Sequence, residues 1–279
     1  MRMPSVHLLG SAHAQLISRK PGAAAAIGRK LRALQRSLGW PSLAACALTA
    51  CSAQPEPATQ PASDAGVETA EVTHCVAPAG TSASPPTIQD VIDLVNALPK
   101  PVSLPCLLET LQRPLRMHAT RSTISAQPAV GRRSPRVFLF FDGLVVSVVP
   151  AGMGSALLEL GEVRTELRTL KAELEFPVHE TLPRDAPFKR ILYQEGRTTC
   201  AFCHAAEVPD ERTDFTQAFV SQALRPALQA DRVSVAELGA ELATCDDAAE
   251  PERCAMLKSL YGQGTPLDSE FPNTFQIFR

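Results

Sequence analysis

A run of five residues, Cys200-Ala201-Phe202-Cys203-His204, constrains this chain more than any other feature. Its two thiols stand three positions apart, the spacing at which each can add to one vinyl group of a haem. The imidazole of His204 follows directly and can bind the haem iron from one side. The chain of 279 residues holds only eight Cys and six His, so this order of residues is rare by chance. The run therefore predicts one covalently attached haem c.

Covalent haem requires export, and the N-terminal residues 1–50 have the features of a secretory signal peptide. A basic block at 29–36 precedes an apolar stretch at 38–51, which is shorter than the roughly 20 residues of a membrane span. Its end, Leu48-Thr49-Ala50-Cys51, resembles the lipobox of bacterial lipoproteins. This resemblance implies cleavage before Cys51 and a lipid on its thiol. Cys46 offers a second cleavage position, and a buried apolar helix with two incidental cysteines is the alternative interpretation.

A lipid on Cys51 would anchor the mature protein to a membrane through its N-terminus. Ser52 is not a signal for retention in the inner membrane, so we expect the outer membrane, with the protein facing the periplasm or the cell surface. Residues 51–86 contain six Pro and almost no large apolar side chain. Such a segment cannot bury a core, and it is predicted to be a disordered tether.

The charge distribution supports this division of the chain. Residues 1–50 hold seven of the 27 basic side chains and none of the 29 acidic ones, so the rest of the chain carries a formal charge of −9. A basic surface for nucleic acid is therefore not expected. Arg132, Arg133 and Arg136 form the densest basic cluster, and two interpretations of it stay open. They belong to a solvated loop, or they contact the propionate groups of the haem.

The cysteines can be assigned by role. With Cys46 in the signal, Cys51 lipidated and two thiols in the haem motif, an even number remains for an oxidising compartment. Cys245 and Cys254 are close in sequence and form the obvious disulfide, which leaves Cys75 to pair with Cys106. The competing interpretation is a zinc site made of the motif cysteines together with Cys245 and Cys254.

For residues 87–182 the sequence predicts a small α+β region. Thr87 and Asp90 form a capping box before a run with helical spacing. Asp142-Gly143 joins two runs of β-branched and aromatic residues, which is typical of a β-hairpin. Lys171-Ala172-Glu173-Leu174-Glu175-Phe176 alternates polar and apolar residues, as a strand with one wet face does.

For residues 183–279 the pattern after the haem motif favours helices. One helix is predicted to start at Asp214 and to end near Pro226. Ser234 and Glu237 form a second capping box, and Pro251 suits the first turn of a last helix. The fold class expected from the sequence is therefore α+β, with a mixed N-terminal part followed by a mainly helical haem part.

The stretch from Ile191 to the C-terminus resembles a bacterial c-type cytochrome domain, in Leu192-Tyr193, in the motif and in the helices expected after it. The resemblance implies that His204 is the proximal iron ligand and that a Met supplies the distal one. Met256 is the only Met after the motif, so it is the implied distal ligand. A core position for Met256 and a vacant distal position stay open. Ala205 departs from the family, which usually has Gly there.

Three functions are compatible with these features. The first is a membrane-anchored monohaem protein that passes single electrons to a redox partner protein in the bacterial cell envelope, as a carrier and not as a catalyst. The second is a haem-based sensor or haem enzyme with an open iron position. The third is a haem-free surface lipoprotein in which Cys200 and Cys203 form a disulfide.

Overall fold

A computed structural model describes residues 74–194, 196–227 and 229–278, all of which belong to one compact unit. The predicted signal peptide at 1–50, with Cys46, and the predicted lipid site at Cys51 lie outside the described residues. Of the predicted tether at 51–86, only residues 74–86 are among the described residues.

The described residues form five α-helices and 13 β-strands. The helices are α1 (Ile88–Ala97), α2 (Leu104–Glu109), α3 (Ala186–Arg190), α4 (Val235–Ala243) and α5 (Pro251–Tyr261). The strands are β1 (Arg116–Thr120), β2 (Arg136–Phe140), β3 (Leu144–Val148), β4 (Leu157–Thr165), β5 (Arg168–Glu175), β6 (Leu192–Gln194), β7 (Arg197–Thr198), β8 (Val208–Pro209), β9 (Phe219–Gln222), β10 (Leu224–Arg225), β11 (Arg232–Val233), β12 (Leu267–Asp268) and β13 (Gln276–Ile277).

Nine of these strands build one sheet in the order β11-β1-β2-β3-β4-β5-β9-β8, with β12 paired to β1. Strands β1 to β5 pair antiparallel with their sequence neighbours. The hairpin predicted at Asp142-Gly143 is confirmed, because Phe140 of β2 pairs with Val145 of β3. Gly143 has a φ of +88°, a conformation that glycine adopts without strain.

Two helices begin at the capping boxes that the sequence predicts. The side chains of Thr87 and Asp90 each bind the other's backbone N–H at the start of α1, and Ser234 and Glu237 do the same at α4. The carboxylate of Glu162 in β4 also accepts a hydrogen bond from the backbone N–H of Ile88, at 2.9 Å. A carboxylate at a helix N-terminus is favourable, so this contact fixes α1 on the sheet.

Side chains alternate across β1 to β5, and the two faces of the sheet differ. On the helix face, apolar side chains pack with those of α1, α2, α4 and α5 into the main core; from the central strands these are Val137, Leu139, Val146, Leu158, Leu160, Leu170, Ala172 and Leu174. The opposite face, called the groove face below, carries a mixed set: Arg136, Phe138, Ser147, Glu159, Thr169 and Lys171. The polar side of the alternating segment at 171–176 lies on this second face.

Two disulfides join the cysteine pairs that the sequence predicts. Cys75 and Cys106 have an S–S distance of 2.04 Å, and Cys245 and Cys254 one of 1.99 Å. The first bond ties the start of the described chain to α2, and the second joins the end of α4 to α5. The zinc interpretation is wrong, because Cys245 and Cys254 are bonded to each other.

The predicted fold class is wrong for the second half of the chain, which is not a mainly helical cytochrome c-like part. Residues 219–222, expected in a helix from Asp214, form β9, and Leu170 of β5 pairs with Val220. β8 pairs with β9, while β11 and β12 pair with β1. An unpaired edge strand exposes backbone N–H and C=O groups. Strands from residues 183–279 form hydrogen bonds with those groups of β1 and β5. A helix at the same positions would leave them unpaired.

Candidate functional site

The haem motif occupies a single 3-10 turn, Thr199–Phe202, directly after β7. The Thr198 hydroxyl caps this turn by accepting a hydrogen bond from the Cys200 N–H at 3.1 Å. The Cys200 carbonyl accepts one from the His204 N–H at 2.8 Å. This compact turn places Cys200, Cys203 and His204 together in the wall of a groove on the groove face of the sheet.

Glu207 holds the turn in place. Its carboxylate accepts hydrogen bonds from the backbone N–H of Thr198 at 2.8 Å and from the Thr198 hydroxyl at 2.5 Å. Ala206 has a φ of +55°, and its carbonyl accepts a hydrogen bond from Arg168 of β5 at 2.8 Å. The chain therefore reverses after the motif and is tied back to the sheet.

The imidazole of His204 is held in one tautomer. Its Nδ1 lies 2.8 Å from the carbonyl oxygen of Gln222 in β9. A carbonyl only accepts, so Nδ1 carries the proton and Nε2 keeps a lone pair. Burial, with the charges of Lys171 and Arg136, lowers the pKa of His204 to about 3. The ring is therefore neutral, as an iron ligand must be.

Cys200 and Cys203 are free thiols, whereas the other four cysteines of the described chain form disulfides. Burial raises the pKa of the Cys200 thiol to about 11. A thioredoxin-like redox cysteine needs the opposite shift, since the thiolate is the nucleophile. Exchange chemistry at this C-x-x-C is therefore disfavoured.

The motif groove, as we call it, runs between the sheet, the motif turn and the C-terminal residues. Its volume is about 210 Å³, and it is partly open to solvent. Apolar side chains form much of its wall: Phe138, Val145, Ile191, Leu224, Phe271, Phe275 and Phe278. Phe271 packs edge-on against Phe138 and Phe140, with ring centroids 4.8 and 5.0 Å apart. A flat apolar ring system fits such a wall.

Arg136 of β2 also lines the groove, and its guanidinium is fully engaged. It donates to Ser125 Oγ at 2.5 Å and to Ser147 Oγ at 3.0 Å, and it pairs with Glu159 of β4. It also lies 4.7 Å from the centre of the Phe138 ring. By contrast, Arg132 and Arg133 pair outside this groove, with acidic residues of α4 and with Glu250, which directly precedes α5. Only Arg136 of the basic cluster reaches the candidate site.

Lys171 of β5 is a second cation in the groove wall and is only 8% exposed. It makes no hydrogen bond or ion pair with any residue of the described chain. Burial lowers the pKa of Lys171 to about 8. Sequence reasoning assigned this side chain only to the wet face of a strand. The alternation of polar and apolar residues along 171–176 was the only sequence signal for the position of Lys171. This alternation does not reveal which distant residues lie on the same face of the sheet.

Met256 does not meet the motif. It is 3% exposed in the core on the helix face, between α5 and its neighbours, and the sheet separates it from His204. Four further side chains of types that can bind haem iron also do not line the groove: His74, His118, Met153 and His179. The distal assignment of Met256, taken from family resemblance, is therefore withdrawn, and Met256 is a core residue.

Within residues 74–194, 196–227 and 229–278, no helix is long and apolar enough to cross a membrane. The same residues contain no group of three or more His, Cys, Asp or Glu arranged to hold a metal ion by themselves. One imidazole beside two free thiols is the residue set of the C-x-x-C-H haem-attachment motif. No family model, curated protein or solved structure matches this chain.

Proposed function

We propose that this protein is an exported c-type haem protein whose haem is held in the motif groove. The observation that carries the proposal is the convergence of two free thiols and a neutral imidazole with a free Nε2 on one partly apolar groove. Each of these groups has the chemical state that attachment requires. A disulfide protein does not need the imidazole oriented in this way, and the four-cysteine zinc site is excluded because Cys245 and Cys254 are bonded to each other.

Each motif residue has a defined role in this proposal. Cys200 and Cys203 would hold the haem: each S–H would add across one vinyl C=C bond, so that the S–H bond and the π bond are replaced by one S–C and one C–H bond without a net oxidation or reduction. His204 would bind the iron through Nε2, while the Gln222 carbonyl fixes the ring through Nδ1. The haem supplies an iron that changes its oxidation state or binds a small ligand. Aromatic residues of the groove shield the ring from water.

The groove favours an open distal position, and hence a haem-based sensor or haem enzyme, over an electron carrier. A closed electron-transfer site needs a second protein ligand such as Met or His. In the described chain, His204 is the only His that lines the groove, and no Met lines it. The facing sheet instead presents Lys171 and Thr169, polar groups without a partner among the described residues that are suited to contact a small molecule bound at iron.

Haem attachment is tested by producing the protein in a host that matures c-type cytochromes. We expect a reduced α-band typical of haem c and haem that stays on the protein in a denaturing gel. The variant Cys200→Ala/Cys203→Ala should lose both signals. The variant Cys75→Ala/Cys106→Ala removes a disulfide outside the groove and should keep both signals. Colourless wild-type protein from such a host would overturn the proposal.

The open distal position is tested on the reduced holoprotein with carbon monoxide. We expect rapid binding, seen as a shift of the main absorption band, because no protein side chain has to leave the iron. Slow or absent binding, together with the near-infrared band of Fe–S(Met) in the oxidised protein, would favour the electron carrier instead.

We also propose that Cys51 carries a lipid that anchors the protein at the outer membrane. The support is the resemblance of Leu48-Thr49-Ala50-Cys51 to a lipobox and the Pro-rich segment after it. Cys51→Ser should move the protein from the membrane to the soluble fraction, whereas Cys46→Ser should not. The reverse pattern would show that cleavage occurs before Cys46.

A further inference from the structure

The motif groove contains a charged group for which the described chain supplies no counter-ion. Lys171 is 8% exposed and faces the groove, yet it has no hydrogen-bond or ion-pair partner among the described residues. Arg136, in the same wall, has three such partners. Burying an unpaired ammonium is unfavourable, so a fold normally pairs it or exposes it. Lys171 is therefore placed to bind something that enters the groove.

A second unpartnered donor lies beside it. Thr169 precedes Lys171 by two positions on β5, so both side chains point to the same face of the sheet. Thr169 is 3% exposed and lines the groove, and its Oγ1 has no hydrogen-bond partner. Buried hydroxyl groups nearly always find a partner. Two donors without partners on one wall indicate a ligand rich in acceptors.

The position of Lys171 argues against pairing with the haem propionates. Lys171 lines the same groove as Cys200 and His204. The thiols would add to the vinyl edge of a haem, and the propionates project from the opposite edge. A haem attached at Cys200 would therefore have its propionates away from the attachment side of the groove.

We infer that Lys171 binds a small inorganic anion at the open iron position, with Thr169 as a second donor. This inference rests on the proposed c-type haem and names the ligand class of that site. The ammonium supplies the positive charge, and the hydroxyl donates one hydrogen bond. The carboxylates of Glu159 and Glu207 raise the pKa of Lys171, but neither forms an ion pair with it, because Glu159 pairs with Arg136 and Glu207 binds Thr198. An anion is favoured over a neutral ligand of the same size, since a charge-assisted hydrogen bond is the stronger one.

A competing role for Lys171 predicts the opposite result, which makes the inference testable. If its amine itself occupied the distal position on iron, then removing it would open the site and strengthen the binding of added ligands. If Lys171 holds the bound anion, its removal weakens the binding. The sign of the change in affinity separates the two roles.

The experiment is a titration of ferric holoprotein with azide, followed by the absorption spectrum. We expect Lys171→Met to weaken azide binding about tenfold to a hundredfold, the range for loss of one charge-assisted hydrogen bond. Thr169→Val should weaken it about threefold to tenfold. Lys189→Met is the matched control. Lys189 is an exposed lysine of α3 that pairs with Asp185 and does not line the groove, so its removal should change the affinity less than about twofold.

The outcomes are distinct. Holoprotein in which Lys171→Met binds azide as the wild type does, or more tightly, would overturn the inference and leave the proposed haem in place. Protein without haem would overturn both. Carbon monoxide binding to the reduced protein serves as the neutral reference, and Lys171→Met should change it much less than it changes azide binding. If Lys171→Met does not fold, Thr169→Val with the same titration decides the question.

Discussion

Glu162 and Lys171 are almost equally buried, at 9% and 8% exposed, but they lie on opposite faces of the sheet. Glu162, on the helix face, accepts the Ile88 N–H at 2.9 Å and pairs with Arg164. Lys171, on the groove face, makes no such contact with the described chain. A buried charge without a partner lowers stability. The first charge therefore supports the fold, whereas the second is the one for which we propose a ligand.

Hydroxyl groups show the same difference. Thr110, which is 5% exposed at the end of α2, donates to the Leu107 carbonyl at 2.7 Å. Thr169, which is 3% exposed on the groove face, has no partner. Thr110 on the helix face therefore has its partner, whereas Thr169 and Lys171 on the groove face have none among the described residues. Substitutions on the helix face should change stability, and those on the groove face should change what the protein binds.

The largest effect on stability is expected from Met256→Ala. Met256 is 3% exposed in the helix-face core, and removing such a side chain lowers the free energy of unfolding by about 2–5 kcal/mol. Urea unfolding measures this loss. Met153→Ala, at a position that is 72% exposed, is the control and should stay within about 0.5 kcal/mol. A change in the iron spectrum of Met256→Ala would contradict the separation of the two faces.

The second effect concerns the disulfide between α4 and α5 on the helix face. Cys245→Ala/Cys254→Ala should lower the free energy of unfolding by about 2–3 kcal/mol, because the short loop it closes is no longer restrained in the unfolded chain. Covalent haem should be unchanged in this variant. Mass mapping that finds both residues as free thiols in the exported protein would overturn the expectation.

The third effect concerns Glu162, the buried charge that has partners on the helix face. Glu162→Gln keeps the shape of the side chain but removes its charge, and we expect a loss of about 2 kcal/mol, since hydrogen bonds to charged groups contribute about 1.5–3 kcal/mol. Glu166→Gln, at an exposed position in the β4–β5 turn, should change stability by less than about 0.5 kcal/mol. Equal effects of the two variants would show that Glu162 does not anchor α1.

The smallest expected effect is a gain in stability rather than a loss. In buffer without binding anions, Lys171→Met should raise the free energy of unfolding by about 1 kcal/mol, because a buried charge without a partner is replaced by an apolar side chain of similar length. Thermal unfolding of the two holoproteins measures the difference. A clear loss of stability would show that the ammonium has a structural partner and would remove the contrast with Glu162.

Local features of the fold were predictable from the sequence where neighbouring residues decide the structure. The Thr87–Asp90 and Ser234–Glu237 capping boxes and the hairpin at Asp142-Gly143 depend on residues a few positions apart, and all three are present. The strand at 219–222 was missed. Its residues form a strand because the edge of β5 needs a hydrogen-bonding partner, and the local pattern does not contain that requirement.

For the candidate site, the sequence by itself determined which residues form the motif on which the haem proposal rests, because two thiols and an imidazole lie within five residues. It also determined that one face of β5 is polar, because side chains alternate along a strand. Only the tertiary structure decided that Lys171 and Arg136 face Cys200 and His204, and that Met256 lies on the other side of the sheet. Sheet pairing brings residues from distant parts of the chain onto one face, and no local spacing specifies which residues meet there.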